Sequence, residues 1–153
     1  MPEGASMATR TARTAWTGTL QDGSGRTELA SSGLGTFDVS WPKRTSDEAD
    51  GSTSPEELIA AAHASCFAMA FSGGIAKAGG TPQSLDVTAD VGFGPDKDRG
   101  GFMITGITLT VRGRVDGMDA AGFEKAAQEA KAGCPVSKAL TGVDITLDAA
   151  LES

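Results

Sequence analysis

Tyrosine is absent from this 153-residue chain, histidine occurs once and cysteine only twice. With 6 Phe and 2 Trp against 21 Gly, the core has to rely on aliphatic packing. A core this lean, in a chain with long apolar segments, suggests that part of the burial happens between subunits. Clustered basic residues are missing as well. The 13 basic and 20 acidic side chains are dispersed and leave a net charge of −7. That distribution excludes a nucleic-acid patch or a basic membrane-binding surface. No CxxC occurs, so a thioredoxin-type motif is excluded and a zinc site has little support.

The N-terminal "MPEGASMATRTARTAW" has no apolar run of signal-peptide length. Residues 1–11 read as a flexible lead, with Met7 as an alternative start, and residues 12–153 as a single domain. The expected location is the cytoplasm. In a reducing compartment the two cysteines are not expected to form a static structural disulfide. They are buried free thiols, metal ligands or redox groups.

Residues 12–20, "ARTAWTGTL", alternate like a strand with one buried face, Trp16 and Leu20 on the same side. "QDGSG" turns into a second strand, "RTELASS", and "GTFDVSW" makes a third. The polar "PKRTSDEADGSTS" reads as a loop. At Ser54 a helix starts: Ser54 as cap, Pro55 at the first position, Glu57 completing a capping box. It runs through "LIAAAHASCFAMAFS", apolar nearly all round and therefore expected to be buried on all sides. It continues as "IAKA" past Gly73–Gly74, where a kink is expected, and ends at Gly79–Gly80. The apolar run is broken by Glu, His, Ser and Gly and is no membrane span.

Two long alternating segments follow, "QSLDVTADVGFG" and "GFMITGITLTVRGRV", joined by the turn "PDKDRG". They predict antiparallel strands half exposed to water. "DAAGFEKAAQEAKAG" is an amphipathic helix capped by Asp119 and stopped by Gly133. "CPVSKAL" opens a short helix with Pro135 first, and "VDITLDAAL" closes the chain as a strand. The order βββ-α-ββ-α-α-β defines an α+β fold, with largely antiparallel sheet around a buried helix.

Cys66 lies in the middle of the apolar helix, where a cysteine commonly serves as a small buried hydrophobe. Three features point instead to chemistry. His63, three residues earlier, shares its helix face. Glu56 carries a carboxylate into the first turn. Cys134 stands where a helix begins, a position that favours thiolate. Two Cys, one His and a carboxylate could also bind zinc. His63 itself reads best as a packed, hydrogen-bonded core histidine.

"SPEELIAAAHASCFAMAFS", followed by "AKAGCPVSKAL", resembles the OsmC/Ohr family of thiol peroxidases. The "AAHA.C" pattern is that of the OsmC branch, and the likeness extends from about Ala12 to the closing "DITLDAAL". The resemblance implies antiparallel sheets wrapped around long buried central helices in an intertwined homodimer. It implies that Cys66 is the peroxidatic thiol, which becomes a sulfenic acid, and Cys134 the resolving thiol, which condenses with it to a disulfide. The substrate is then an organic hydroperoxide, with hydrogen peroxide used more weakly, in oxidative or osmotic stress defence. The reductant is a dithiol or a lipoylated protein, and no flavin, haem or metal cofactor is expected. Family members activate the thiol with an Arg and a Glu. Glu56 matches the glutamate. The arginine pattern is displaced here, with Ser40 at the nearest equivalent; Arg44 is the substitute and Lys43 the lesser candidate. Phe67, Met69 and Phe71 read as core or dimer contacts.

Ten residues of straight helix span about 15 Å. Glu56 therefore cannot touch Cys66 of its own chain, whereas two antiparallel copies would bring Glu56 of one near Cys66 of the other. The alternative from another class is a non-enzymatic OsmC-like dimer that binds an apolar ligand.

Overall fold

A computed structural model of the chain describes residues 7–152. These form two compact units, one ending at Pro55 and the other starting at Glu56. The lead expected over residues 1–11 falls partly outside the described residues. Within them, Thr11 is tied to Ser31 by hydrogen bonds in both directions.

The first unit is a three-stranded antiparallel sheet of β1 (Arg13–Thr17), β2 (Ser24–Glu28) and β3 (Thr36–Val39), in that order. Gly25 makes room for a neighbour: a β-carbon there would lie 2.8 Å from the Trp16 ring. The segment expected to be loop begins as a helical turn, α1 (Trp41–Arg44). Its cause is local. The Ser40 hydroxyl accepts from the Lys43 amide at 3.3 Å, and Pro42 suits the first turn. The buried face expected of β1 is not found among the described residues. Trp16 is 43% and Leu20 55% exposed, and among the described residues of this unit only Gly25 and Thr27 are buried.

The second unit opens with α2 (Pro55–Lys77), 23 residues that run unbroken through Gly73–Gly74. Two long strands follow, β4 (Thr81–Pro95) and β5 (Phe102–Asp116), paired antiparallel. In the turn between them the Asp96 carboxylate accepts from the amides of Asp98 and Arg99. The alternation in β5 changes parity between Ile104 and Ile107. A bulge explains it: Gly92 pairs with Gly106 and Phe93 with Ile104, leaving Thr105 as the extra residue. The bulge returns Ile107, Leu109 and Val111 to the core face.

Next come α3 (Ala120–Gly133), whose Asp119 cap accepts from the Gly122 amide at 2.8 Å, and the short α4 (Pro135–Ala139). The closing strand β6 (Ile145–Leu151) pairs with β5 in parallel, which departs from the antiparallel pairing of the other strands. A helical connection makes that direction available, because a parallel neighbour requires a crossover rather than a hairpin.

The core lies between this sheet and two helices. Phe67, Phe71 and Ile75 of α2 pack with Leu109 and Val111 of β5 and with Phe123, Ala126 and Ala127 of α3. The Phe71 and Phe123 rings meet at 4.8 Å between centroids. Gly113 admits that packing, since a β-carbon there would stand 2.8 Å from the Phe123 ring and 2.8 Å from Leu85.

The expectation that α2 is buried all round needs correction. Its buried residues, Glu56, His63, Phe67, Phe71 and Ile75, form one stripe at helical spacing. The other side, with Ala61, Ala62, Ser65 and Met69, is exposed, Met69 at 72%. Ala and Met give no periodic polar stripe, so the pattern could not reveal which face a single chain leaves open. The helix is long and apolar enough by length and composition to cross a membrane. Its buried stripe is instead spent on the core beside β5 and α3.

Candidate functional site

The continuous α2 carries Cys66 one turn after His63, and the end of α3 brings Cys134 to the same place. The two sulfurs lie 3.1 Å apart as a thiol–thiol hydrogen bond, although 68 residues separate them in sequence. Cys134 is completely buried, whereas Cys66 is only partly so. Both are free thiols. Solvent and small molecules therefore meet Cys66 first.

Their surroundings differ in charge preference. Burial pushes the Cys66 thiol up; the Val136 amide works against that rise, and Cys134 adds to it. Burial acts upward on Cys134 too. It is outweighed by hydrogen bonding from the Ser137 amide, the Cys66 thiol, the Ser137 hydroxyl and the Val136 amide, which together hold Cys134 below its ordinary value. At this separation the two thiols titrate as a unit.

His63 is fully buried, with Nε2 2.7 Å from the Ser137 hydroxyl and Nδ1 without a hydrogen-bond partner. Burial keeps it below the usual histidine range, hence neutral at pH 7. Ser137 escaped the sequence reading. The available signal was its spacing: a serine three residues after a cysteine at a helix start lies over that cysteine's position.

Glu56 is buried, 7% exposed, at the first turn of α2. Because the helix is unbroken, its ten-residue offset places it about 15 Å along the axis from Cys66. The structure thus brings Cys66, Cys134 and His63 together and holds Glu56 apart from them in the same chain. Arg44 ends α1 in the other unit, its guanidinium 6.0 Å from the centre of the Trp41 ring. It lines a cavity of about 120 Å³ with Trp16, Leu20, Val39 and Trp41. Lys43 is engaged by Asp50 at 2.9 Å. Among the described residues no three His, Cys, Asp or Glu side chains are grouped to hold a metal ion.

A family model described as OsmC-like protein matches residues 47–148, and both thiols fall inside that span. The chain belongs to the OsmC-like family. Over 138 residues it is 45% identical to the protein named peroxiredoxin OsmC of Escherichia coli strain K12, covering 90% of this chain and 93% of that one. It is 36% identical over 99 residues to the organic hydroperoxide resistance protein OhrA of Bacillus subtilis strain 168, covering 64% and 67% respectively. The crystal structure of the organic hydroperoxide resistance protein OhrB of Bacillus subtilis superposes with a TM-score of 0.71 at 29% identity. It covers 91% of this chain and 97% of that one. The α+β fold expected of the OsmC/Ohr family is therefore the fold observed.

Proposed function

We propose that this chain is a cysteine-based peroxidase that reduces organic hydroperoxides, and hydrogen peroxide more weakly, in oxidative and osmotic stress defence. The observation that carries the reading is the pairing of a reachable thiol with a sealed one, 3.1 Å apart. Membership of a family whose relatives are named peroxiredoxin and organic hydroperoxide resistance protein supports it.

In this reading the Cys66 thiolate attacks the O–O bond, the alcohol departs and Cys66 becomes a sulfenic acid. Cys134 then attacks that sulfur, water is released and a Cys66–Cys134 disulfide forms. A dithiol or a lipoylated protein returns both thiols. No metal, flavin or haem takes part. The reaction takes place in the cytoplasm, where such reductants are maintained.

Burial alone opposes a Cys66 thiolate, so the reading needs a cation, and Arg44 is assigned to that role. The apolar α2 around Cys66 offers the wall that an organic hydroperoxide requires. The active species is a homodimer. A second copy would cover the open face of α2 and the exposed apolar side chains of β1, and antiparallel α2 helices would carry Glu56 of one copy towards Cys66 of the other.

The test is consumption of cumene hydroperoxide with a dithiol by the wild type, Cys66→Ser and Arg44→Ala. Turnover by the wild type, none by Cys66→Ser and at least a tenfold loss in Arg44→Ala are expected. Full activity in Arg44→Ala would move the cation elsewhere. The raised Cys66 thiol favours a second reading, a non-enzymatic dimer that binds an apolar ligand. A wild type inert with both thiols reduced would select it.

A further inference from the structure

We propose that the hydrogen bond between His63 and Ser137 is a clamp that keeps Cys134 within bonding reach of Cys66, which makes both side chains positioning residues for the disulfide. The role of the clamp in turnover rests on the peroxidase reading; its geometry does not. Two ties join α2 to the start of α4. One is the thiol pair, with sulfurs 3.1 Å apart, and the other joins His63 Nε2 to the Ser137 hydroxyl at 2.7 Å. Their spacing is mirrored, His63 standing three residues before Cys66 and Ser137 three residues after Cys134. Residues three apart on a helix share a face, and a cap position lies over the third residue of its helix. Both ties therefore run between the same two faces, one turn apart. A single tie would let α4 swivel; the second fixes its direction as well as its distance.

The short helix depends on that second tie. Its five residues are too few to hold a helical form unaided. Ser137 is its one buried residue, Val136 packs partly against the core, and Pro135, Lys138 and Ala139 are exposed. The buried anchor of α4 is thus a polar group, and its partner on α2 is His63. The dependence is mutual. His63 is fully sealed and its Nδ1 has no partner, so the bond to Ser137 is the one hydrogen bond of the ring among the described residues. Breaking it in place would leave a sealed imidazole with none, which is costly.

Closing the disulfide brings the sulfurs from 3.1 Å to about 2.0 Å. The Cys134 sulfur gives an electron pair to the Cys66 sulfur and the S–O bond of the sulfenic acid breaks. The departing hydroxide takes the Cys134 proton and leaves as water. The competing fate is attack by a second hydroperoxide, which carries Cys66 on to sulfinic acid. A thiol already held beside the sulfenic sulfur wins that competition, because its positioning is complete before the reaction starts. The clamp acts on the reduced protein. Once formed, the S–S bond holds α2 and α4 together by itself, whereas before it forms only non-covalent ties do. Loosening the clamp lets the reduced form spread over open arrangements and so weakens the disulfide relative to the dithiol.

The experiment equilibrates the protein with oxidised and reduced dithiothreitol at a series of ratios. Protein dithiol and oxidised dithiothreitol exchange two electrons and two protons to give protein disulfide and reduced dithiothreitol. Acid quenching, alkylation of free thiols and intact mass give the equilibrium constant. Ser137→Ala and His63→Leu are each expected to lower it about tenfold, or about 30 mV. The double variant should fall no further than either alone, because both changes remove the same bond. His63→Gln, whose amide can give or take that bond, should stay near the wild-type constant. A bond of merely structural role would weaken the reduced and oxidised folds alike and leave the constant unmoved. An unmoved constant in folded Ser137→Ala therefore overturns the proposal, and so does a wild type that forms no disulfide at any ratio. Far-UV circular dichroism checks folding, and Ser137→Ala, which removes one oxygen, keeps the test open if His63→Leu does not fold. Hydroperoxide consumption by the wild type separates the clamp from the peroxidase reading. A shifted constant in an inactive protein keeps the clamp and removes the peroxidase. An unmoved constant in an active protein does the reverse.

Discussion

Cys134 Sγ lies 3.1 Å from Cys66 Sγ, with Cys134 wholly sealed and Cys66 partly open to solvent. Access therefore orders the two thiols: an oxidant would meet Cys66 before Cys134.

Cys134→Ser should accept one equivalent of organic hydroperoxide at Cys66 and then fail to close a disulfide. The sulfenic acid would persist and pass to sulfinic and sulfonic acid as peroxide is added. Intact-mass analysis after stepwise oxidation reads this directly. A wild-type-like disulfide yield in that variant would show that the second thiol is not the partner.

Met69 is 72% exposed on the open face of α2. Met69→Arg should leave the core stripe of the helix untouched and prevent a second copy from packing there. Sedimentation is expected to show the wild type as a dimer and the variant as a monomer, with peroxidase activity down by at least tenfold. A monomeric variant with full activity would remove Glu56 of a second copy from the mechanism.

His63 is neutral in the folded protein and is held below its ordinary value by burial. The unfolded chain binds a proton there more readily, from about pH 6.5 downwards. Folding stability from this group is complete above that value and falls as pH drops below it, by up to about 1.4 kcal/mol per pH unit. Urea unfolding at pH 7 and pH 5 measures the loss, and His63→Gln should flatten it. Equal slopes in the two proteins would mean that the imidazole can protonate in place.

Gly113→Ala puts a methyl group within 2.8 Å of both Phe123 and Leu85. The rings and the strand must shift, at a cost of about 1–3 kcal/mol. A fall in the urea midpoint checks it, and an unchanged midpoint would mean that α3 can lift from the sheet without penalty.

Local signals in the sequence were readable where one residue decides the geometry. Asp119 caps α3 and Pro135 opens α4, as their chemistry dictates. The helix around Cys66 was legible from composition. Three features were not legible. The α1 turn depends on Ser40 and Pro42 inside a polar stretch that otherwise reads as loop. The open face of α2 is written in the same Ala and Met as its surroundings, so only packing distinguishes it. Ser137 carries no motif of its own, and its hydrogen-bond partner is a histidine 74 residues away.

The separation of the two thiols has a consequence for the energy of the whole molecule. Joining residues 68 apart ties a long loop into the unfolded chain and removes entropy worth about 4 kcal/mol in the chain-entropy account. Each oxidation would thus make the protein harder to unfold, and each reduction would return it to a looser balance. If the proposed disulfide forms, a molecule waiting for its reductant would be the hardier form, better fitted to survive the stress that produced it.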